Sequence, residues 1–91
     1  VKVNYFHLDW NGHVNNVQYF KMIMESLDPN ILTTKEIRSL AIQYKSEALL
    51  GQELVISHQM DSDYIIRHTI REINTGKDLI LGETQWSDII L

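Results

Sequence analysis

The sequence predicts an α+β domain in which one long, largely buried helix packs on an antiparallel sheet. Three observations predict it. Apolar residues follow a helical period once, over residues 13–27, and an alternating period of two from about residue 39 onward. The polar residues of the helical stretch, Asn15, Gln18 and Glu25 with Lys21 beside them, form one narrow stripe. Val14, Val17, Phe20, Ile23, Met24 and Leu27 fill the rest, so burial over most of the circumference is expected. The later strand-like segments are joined by short turns, which fit antiparallel neighbours, and one helix on one such sheet is α+β.

Each element has a local reason. Residues 1–8 alternate loosely and contain Val, Tyr and Phe, which reads as a strand. Residues 9–12 are turn chemistry. Asp28-Pro29-Asn30 ends the helix, because proline lacks a donor and disfavours helix at the residue before it. Residues 31–36 connect to the sheet, with a short turn capped by Thr33 or Thr34. Leu40, Ile42 and Tyr44 then alternate with Ser39, Gln43 and Lys45. A turn at Leu50-Gly51-Gln52 precedes Leu54, Ile56 and Met60, which share one parity, and Asp61-Ser62-Asp63 makes the next turn. Tyr64, Ile66 and Ile70 face one way, with Arg67, Thr69 and Arg71 opposite. In Asn74-Thr75-Gly76-Lys77 the glycine supplies the positive φ of a hairpin loop, and residues 79–90 close the chain. The expected topology is a four-stranded antiparallel meander.

Composition narrows the classes. The 91 residues suffice for one domain and not two, and 44% hydrophobic content argues against disorder. A single core of this size is marginal, so burial against a partner would help it. A net charge of -4 without a Lys/Arg run argues against a nucleic-acid or anionic-membrane surface, while leaving room for a local basic patch. There is no cysteine, hence no disulfide, cysteine zinc site or cysteine nucleophile. That fits a reducing compartment, and a cytoplasmic location is expected. No apolar run approaches the roughly 18 residues of a membrane span, and no signal peptide is visible. The chain opens without Met, directly in a strand-like segment, as a fragment of a longer protein would.

The chemistry concentrates in residues 7–19, His7-Leu8-Asp9-Trp10-Asn11-Gly12-His13-Val14-Asn15-Asn16-Val17-Gln18-Tyr19. A carboxylate, a carboxamide and an imidazole occupy alternate positions at the start of the helix. The first helical N–H groups, near Val14 to Asn16, lack intrahelical acceptors and carry partial positive charge, so they can polarise a carbonyl oxygen. Asp9 placed there can act as base or nucleophile, and His13 can share the proton work. These parts suit acyl-group hydrolysis. The plainer alternative is that Asp9 and Asn11 merely cap the helix. Asn15 and Asn16, poor helix formers in series, tilt the balance toward function. A metal site from His7, Asp9 and His13 is disfavoured, since the helical i,i+4 zinc pattern is absent. His58 and His68 lie in strand patterns and read as packed or surface residues; Trp10 and Trp86 read as core or interface.

Asp9-Trp10-Asn11-Gly12-His13-Val14-Asn15-Asn16-Val17-Gln18-Tyr19 resembles the D-x-N-x-H-V-N-N-x-x-Y signature of acyl-acyl-carrier-protein thioesterases. Leu40-Ala41-Ile42-Gln43-Tyr44-Lys45-Ser46-Glu47 resembles their strand ending in Y-R-x-E. The resemblance implies the hot-dog fold, an antiparallel sheet wrapped around one long helix. It implies a catalytic set of Asp9, Asn11, His13 and Glu47, with the acid at 47 activating water or supporting the other three. The backbone N–H groups of Asn15 and Asn16, at the helix start, are the expected substrate contacts. Plant members often carry cysteine just after the acid; here Ala48 stands there, so water must be the final acyl acceptor. Whether Asp9 is nucleophile or general base stays open. Members of the family resemble two hot-dog units in tandem, with this signature in the C-terminal one, so residues 1–91 are expected to be a C-terminal unit.

The expected function is hydrolysis of fatty acyl-acyl-carrier-protein thioesters in fatty-acid synthesis, releasing free fatty acid without metal or organic cofactor. The partner is an acidic acyl carrier protein, for which Lys45, Arg67 and Arg71 are candidate contacts, although solvated strand-face charges are their plainer reading. Self-association as a homodimer, or pairing with a second hot-dog unit, is expected, since a lone unit exposes a sheet edge and an apolar surface. The alternatives are a catalytically silent pairing module and an acyl-CoA thioesterase of the broader hot-dog group.

Overall fold

The computed structural model describes residues 1–89. The element order is a 3₁₀ turn Tyr5–His7, helix α1 Asn16–Glu25, helix α2 Pro29–Thr34, and strands β1 Lys35–Tyr44, β2 Leu54–Ser62, β3 Ile65–Glu72 and β4 Asp78–Asp88. The α+β expectation holds. The C-terminal strand expected over residues 79–90 is β4; its last expected residue, Ile90, lies outside the described residues.

The sheet order is β1-β4-β3-β2, antiparallel throughout. The expected meander covers β2, β3 and β4, whose turns are short. It fails for β1, which pairs with β4 rather than β2. Residues 45–53 carry the chain across the sheet to its far edge, and that crossing holds Glu47. The opening strand expected over residues 1–8 is also shorter. Val3 donates its N–H to the Gln52 carbonyl at 2.8 Å and accepts from Gly51 at 2.9 Å. Asn4 then turns the chain. Its carboxamide takes the Phe6 N–H at 2.9 Å and the His7 ring takes the Asn4 N–H at 3.0 Å. Side-chain bonds of this kind compete directly with strand pairing.

α1 starts at Asn16, later than the expected residue 13, because Leu8 and Val14 form a β-bridge and Asn15 is the N-cap. It ends at Ser26, whose hydroxyl donates to the Ile23 carbonyl at 2.9 Å, and Asp28 caps α2 with Pro29 at its first position. Tyr19, Met22 and Ile23 of α1 meet Leu54, Ile70 and Ile80 of the sheet in one core, closed at its end by Val3, Val14 and Ala48. A second cluster joins Leu27, Ile66 and Trp86. Burial covers one face of α1 only. Val17 is 63% exposed and Phe20 and Met24 are half-buried, so the expectation of a helix buried almost all round is not met within this chain.

A polar chain crosses the core near the end of α1. Trp86 Nε1–H donates to Thr84 Oγ1 at 2.7 Å, and His68 Nε2 lies 2.6 Å from the same oxygen. The Nδ1 atoms of His68 and His58 are 2.7 Å apart, and His58 Nε2 is 2.6 Å from Ser26 Oγ. Both ends fix the proton order. The Ser26 hydroxyl donates to Ile23, so it must accept from His58 Nε2–H. His58 Nδ1 then accepts from His68 Nδ1–H, and His68 Nε2 accepts from Thr84. Every donor is matched only when both rings are neutral. Burial lowers the pKa of both, with His58 adding to the effect on His68, which falls to about 4.

Candidate active site

The Asp9–His13 loop is closed by its own groups. The Asp9 N–H donates to the His13 carbonyl at 2.8 Å and the Gly12 N–H to the Asp9 carbonyl at 2.9 Å. Asp9 Oδ1 accepts the N–H groups of Asn11 and His13, each at 3.0 Å. Gly12, at φ 81°, sits in the left-handed region that favours glycine. Asp9 therefore caps this loop and not α1. Asn15 caps α1: its Oδ1 takes the Gln18 N–H at 3.2 Å. The free donors at the helix start are thus the Asn16 and Val17 N–H groups, which have no acceptor within the helix.

The structure joins the two sequence motifs. His13 Nδ1 contacts Glu47 Oε1 across 34 residues of chain. A carboxylate only accepts, so Nδ1 carries the proton and Nε2 is left as the basic nitrogen. The pair is half open to water, at 61% and 39% side-chain exposure, which suits a group that handles water. Asn11 and its neighbour Trp10 are exposed at the loop tip. Asp9, Asn11 and His13 thus share one loop, Glu47 reaches it from the β1–β2 crossing, and α1 presents its N-terminus beside them. Among the described residues no group of three or more His, Asp or Glu side chains is placed to hold a metal ion; His7 is engaged with Asn4.

Sequence reasoning gave Tyr19 no role. Its hydroxyl oxygen accepts the N–H of Ala48, next to Glu47, at 3.0 Å. A tyrosine on the apolar face of a helix needs a partner for its hydroxyl, which signals that one exists without naming it. Arg67 and Arg71 are paired with Asp61 and Asp78, at 2.6 and 2.8 Å, as solvated strand-face charges would be.

The family model described as acyl-ACP thioesterase C-terminal domain matches residues 1–88. The chain belongs to that family. A chloroplastic palmitoyl-acyl carrier protein thioesterase of Cuphea hookeriana is 35% identical over 86 residues, 87% of this chain and 20% of that protein. A chloroplastic acyl-[acyl-carrier-protein] hydrolase of Cuphea viscosissima is 34% identical over 86 residues, with the same shares. The chain thus spans about a fifth of the length of these relatives. Among solved structures, the 12:0-ACP thioesterase from Umbellularia californica superposes with a TM-score of 0.88 at 20% identity, covering 98% of this chain and 34% of that one. The fold of this family member is the hot-dog.

One expectation is overturned. The plant relatives are chloroplastic, against the cytoplasmic location expected from the sequence. Absence of cysteine marks a reducing interior at most and does not tell one such compartment from another.

Proposed function

We propose that this chain is the catalytic hot-dog unit of a thioesterase that releases free fatty acid from acyl-acyl-carrier-protein thioesters. The observation that carries the reading is the His13–Glu47 contact at the start of α1, which draws the polar groups of two distant motifs into one place. Hydrolysis forms a bond from a water oxygen to the thioester carbonyl carbon and breaks the C–S bond. One proton leaves the water and one reaches the departing sulfur. The Asn16 and Val17 N–H groups polarise the carbonyl oxygen. Asp9 either takes the proton from water or attacks the carbonyl carbon itself, forming an acyl anhydride that water then opens. Asn11 positions the reacting groups, and His13, oriented by Glu47, relays protons through Nε2. The side chain at 48 is a core alanine, so water is the final acyl acceptor.

The unit works in company. The uncovered face of α1, with Val17 exposed and Phe20 and Met24 half-buried, supports a second hot-dog unit lying against it, from the same polypeptide or another copy. That unit would also complete the acyl pocket.

The test is hydrolysis by the whole protein on matched acyl-carrier-protein and acyl-CoA substrates, wild type beside Asp9→Ala and Glu47→Ala. The expected result is a preference for the carrier-protein substrate and a loss of about 100-fold or more in both variants. Undiminished rates in both would remove the assigned roles; a preference for acyl-CoA would move the substrate class. A silent pairing module is favoured by one observation: Asp9 Oδ1 and Asn15 Oδ1 are both engaged as caps. A wild-type protein inert on every acyl thioester would establish that reading instead.

A further inference from the structure

We propose that Tyr19 is a positioning residue of the hydrolytic site, holding the chain at Ala48 so that the Glu47 carboxylate meets His13. The inference rests on the thioesterase reading above.

Glu47 lies in the long crossing between β1 and β2, whose pairing with residues 1–3 begins only at Gly51. Two anchors bracket it. On the N-terminal side the Lys45 and Ser46 N–H groups both donate to the Leu79 carbonyl, at 2.9 and 3.2 Å, which ties the chain to β4. On the C-terminal side the Ala48 N–H donates to the Tyr19 hydroxyl oxygen at 3.0 Å, which ties it to α1. The second anchor is shielded from water, with Tyr19 3% and Ala48 1% exposed. A buried N–H that loses its acceptor must find another or move its segment, and the segment here carries Glu47.

The other end of the same strut carries His13. Asn15 caps α1 two residues after His13, and Tyr19 follows one turn later, about 6 Å along the axis. One rigid turn of helix therefore spaces the imidazole's loop from the carboxylate's anchor. The ring is held by the core and by Tyr44, with ring centroids 6.0 Å apart at 55°. Burial, aided by the negative charge of Glu47, pushes the phenol's pKa up and keeps it a neutral hydroxyl. A phenylalanine would fill the same space, so the hydroxyl is the part that positions Glu47.

The experiment is Tyr19→Phe in the whole protein, in the wild-type and the Glu47→Gln backgrounds, assayed on a fatty acyl-acyl-carrier-protein substrate. In the wild-type background kcat is expected to fall about tenfold with KM within about twofold, since a small misplacement of a reacting group costs rate more than binding. In the Glu47→Gln background the further loss is expected to stay under about twofold, because the residue it positions is gone. Hydrogen exchange at the Ala48 amide is expected to accelerate about tenfold or more. Equal losses in both backgrounds, or an unchanged kcat, would overturn the proposal. Replacing the Ala48 amide by an ester removes the donor from the other side. It must reproduce the kcat loss, and full activity there would also overturn the proposal. A wild-type protein inert on acyl thioesters would instead remove the thioesterase reading, and this role with it.

Discussion

Asp9 carries a structural and a chemical duty that substitutions can separate. Its Oδ1 holds the N–H groups of Asn11 and His13. Asp9→Asn keeps an oxygen there but no longer offers a basic carboxylate. It is expected to melt within about 2 °C of wild type while losing about 100-fold or more in kcat. Asp9→Ala is expected to lose the rate and about 1 kcal/mol of stability. Thermal melts beside steady-state rates check both, and Asp9→Asn with full activity would leave Asp9 only its loop. Asn15→Ala is expected to cost about 1 kcal/mol, since it removes the cap of α1. The capping alternative for Asp9 and Asn11 does not hold for α1, whose cap is Asn15, while Asp9 Oδ1 organises the loop before it. The sequence carried Asp9, Asn11, His13 and Glu47 as motif positions. It did not carry the use of Tyr19, because that hydroxyl bonds a backbone N–H 29 residues away and a backbone N–H leaves no trace in residue type.

At the scale of elements, the neutral chain from Ser26 through His58 and His68 to Thr84 joins the end of α1 to three strands. His68 is depressed from 6.5 to about 4 in the folded state. The unfolded chain therefore binds a proton that the folded chain refuses across that window. Stability is complete above about pH 6.5 and falls as pH drops toward 4, by on the order of 3 kcal/mol. The lowered pKa of His58 acts in the same direction. Chemical denaturation at pH 7 and pH 5 measures the slope, and His68→Leu is expected to flatten it. An unchanged slope in that variant would mean the chain does not hold the ring neutral. Local signals made the neighbouring pairings legible: β3 and β4 meet across Asn74 to Lys77, with Gly76 at φ 69°. The pairing of β1 with β4 is not legible, because alternation in residues 39–45 separates two faces and does not say which strand lies alongside. The start of α1 was misplaced for a related reason, since Val14 has a helical neighbour pattern but is taken by a bridge to Leu8.

At the scale of the molecule, a buried core and an uncovered helix face coexist. Trp10, 96% exposed at the loop tip, and Val17 on α1 lie outside the core. Apolar periodicity in the sequence therefore overstates burial within one chain. Val17→Asp is expected to leave the fold intact and weaken pairing about tenfold or more, measured by sedimentation of the isolated unit across concentration. A unit monomeric at every concentration, with Val17→Asp indistinguishable, would show that this face needs no second copy. The two motifs are expected to act as one catalytic centre. The deciding measurement is kcat for fatty acid release from acyl-acyl-carrier-protein in His13→Ala, Glu47→Gln and the double variant of the whole protein. Each single change is expected to cost about 100-fold, and the double variant little more than either. Losses that multiply, or a Glu47→Gln protein at the wild-type rate, would contradict it.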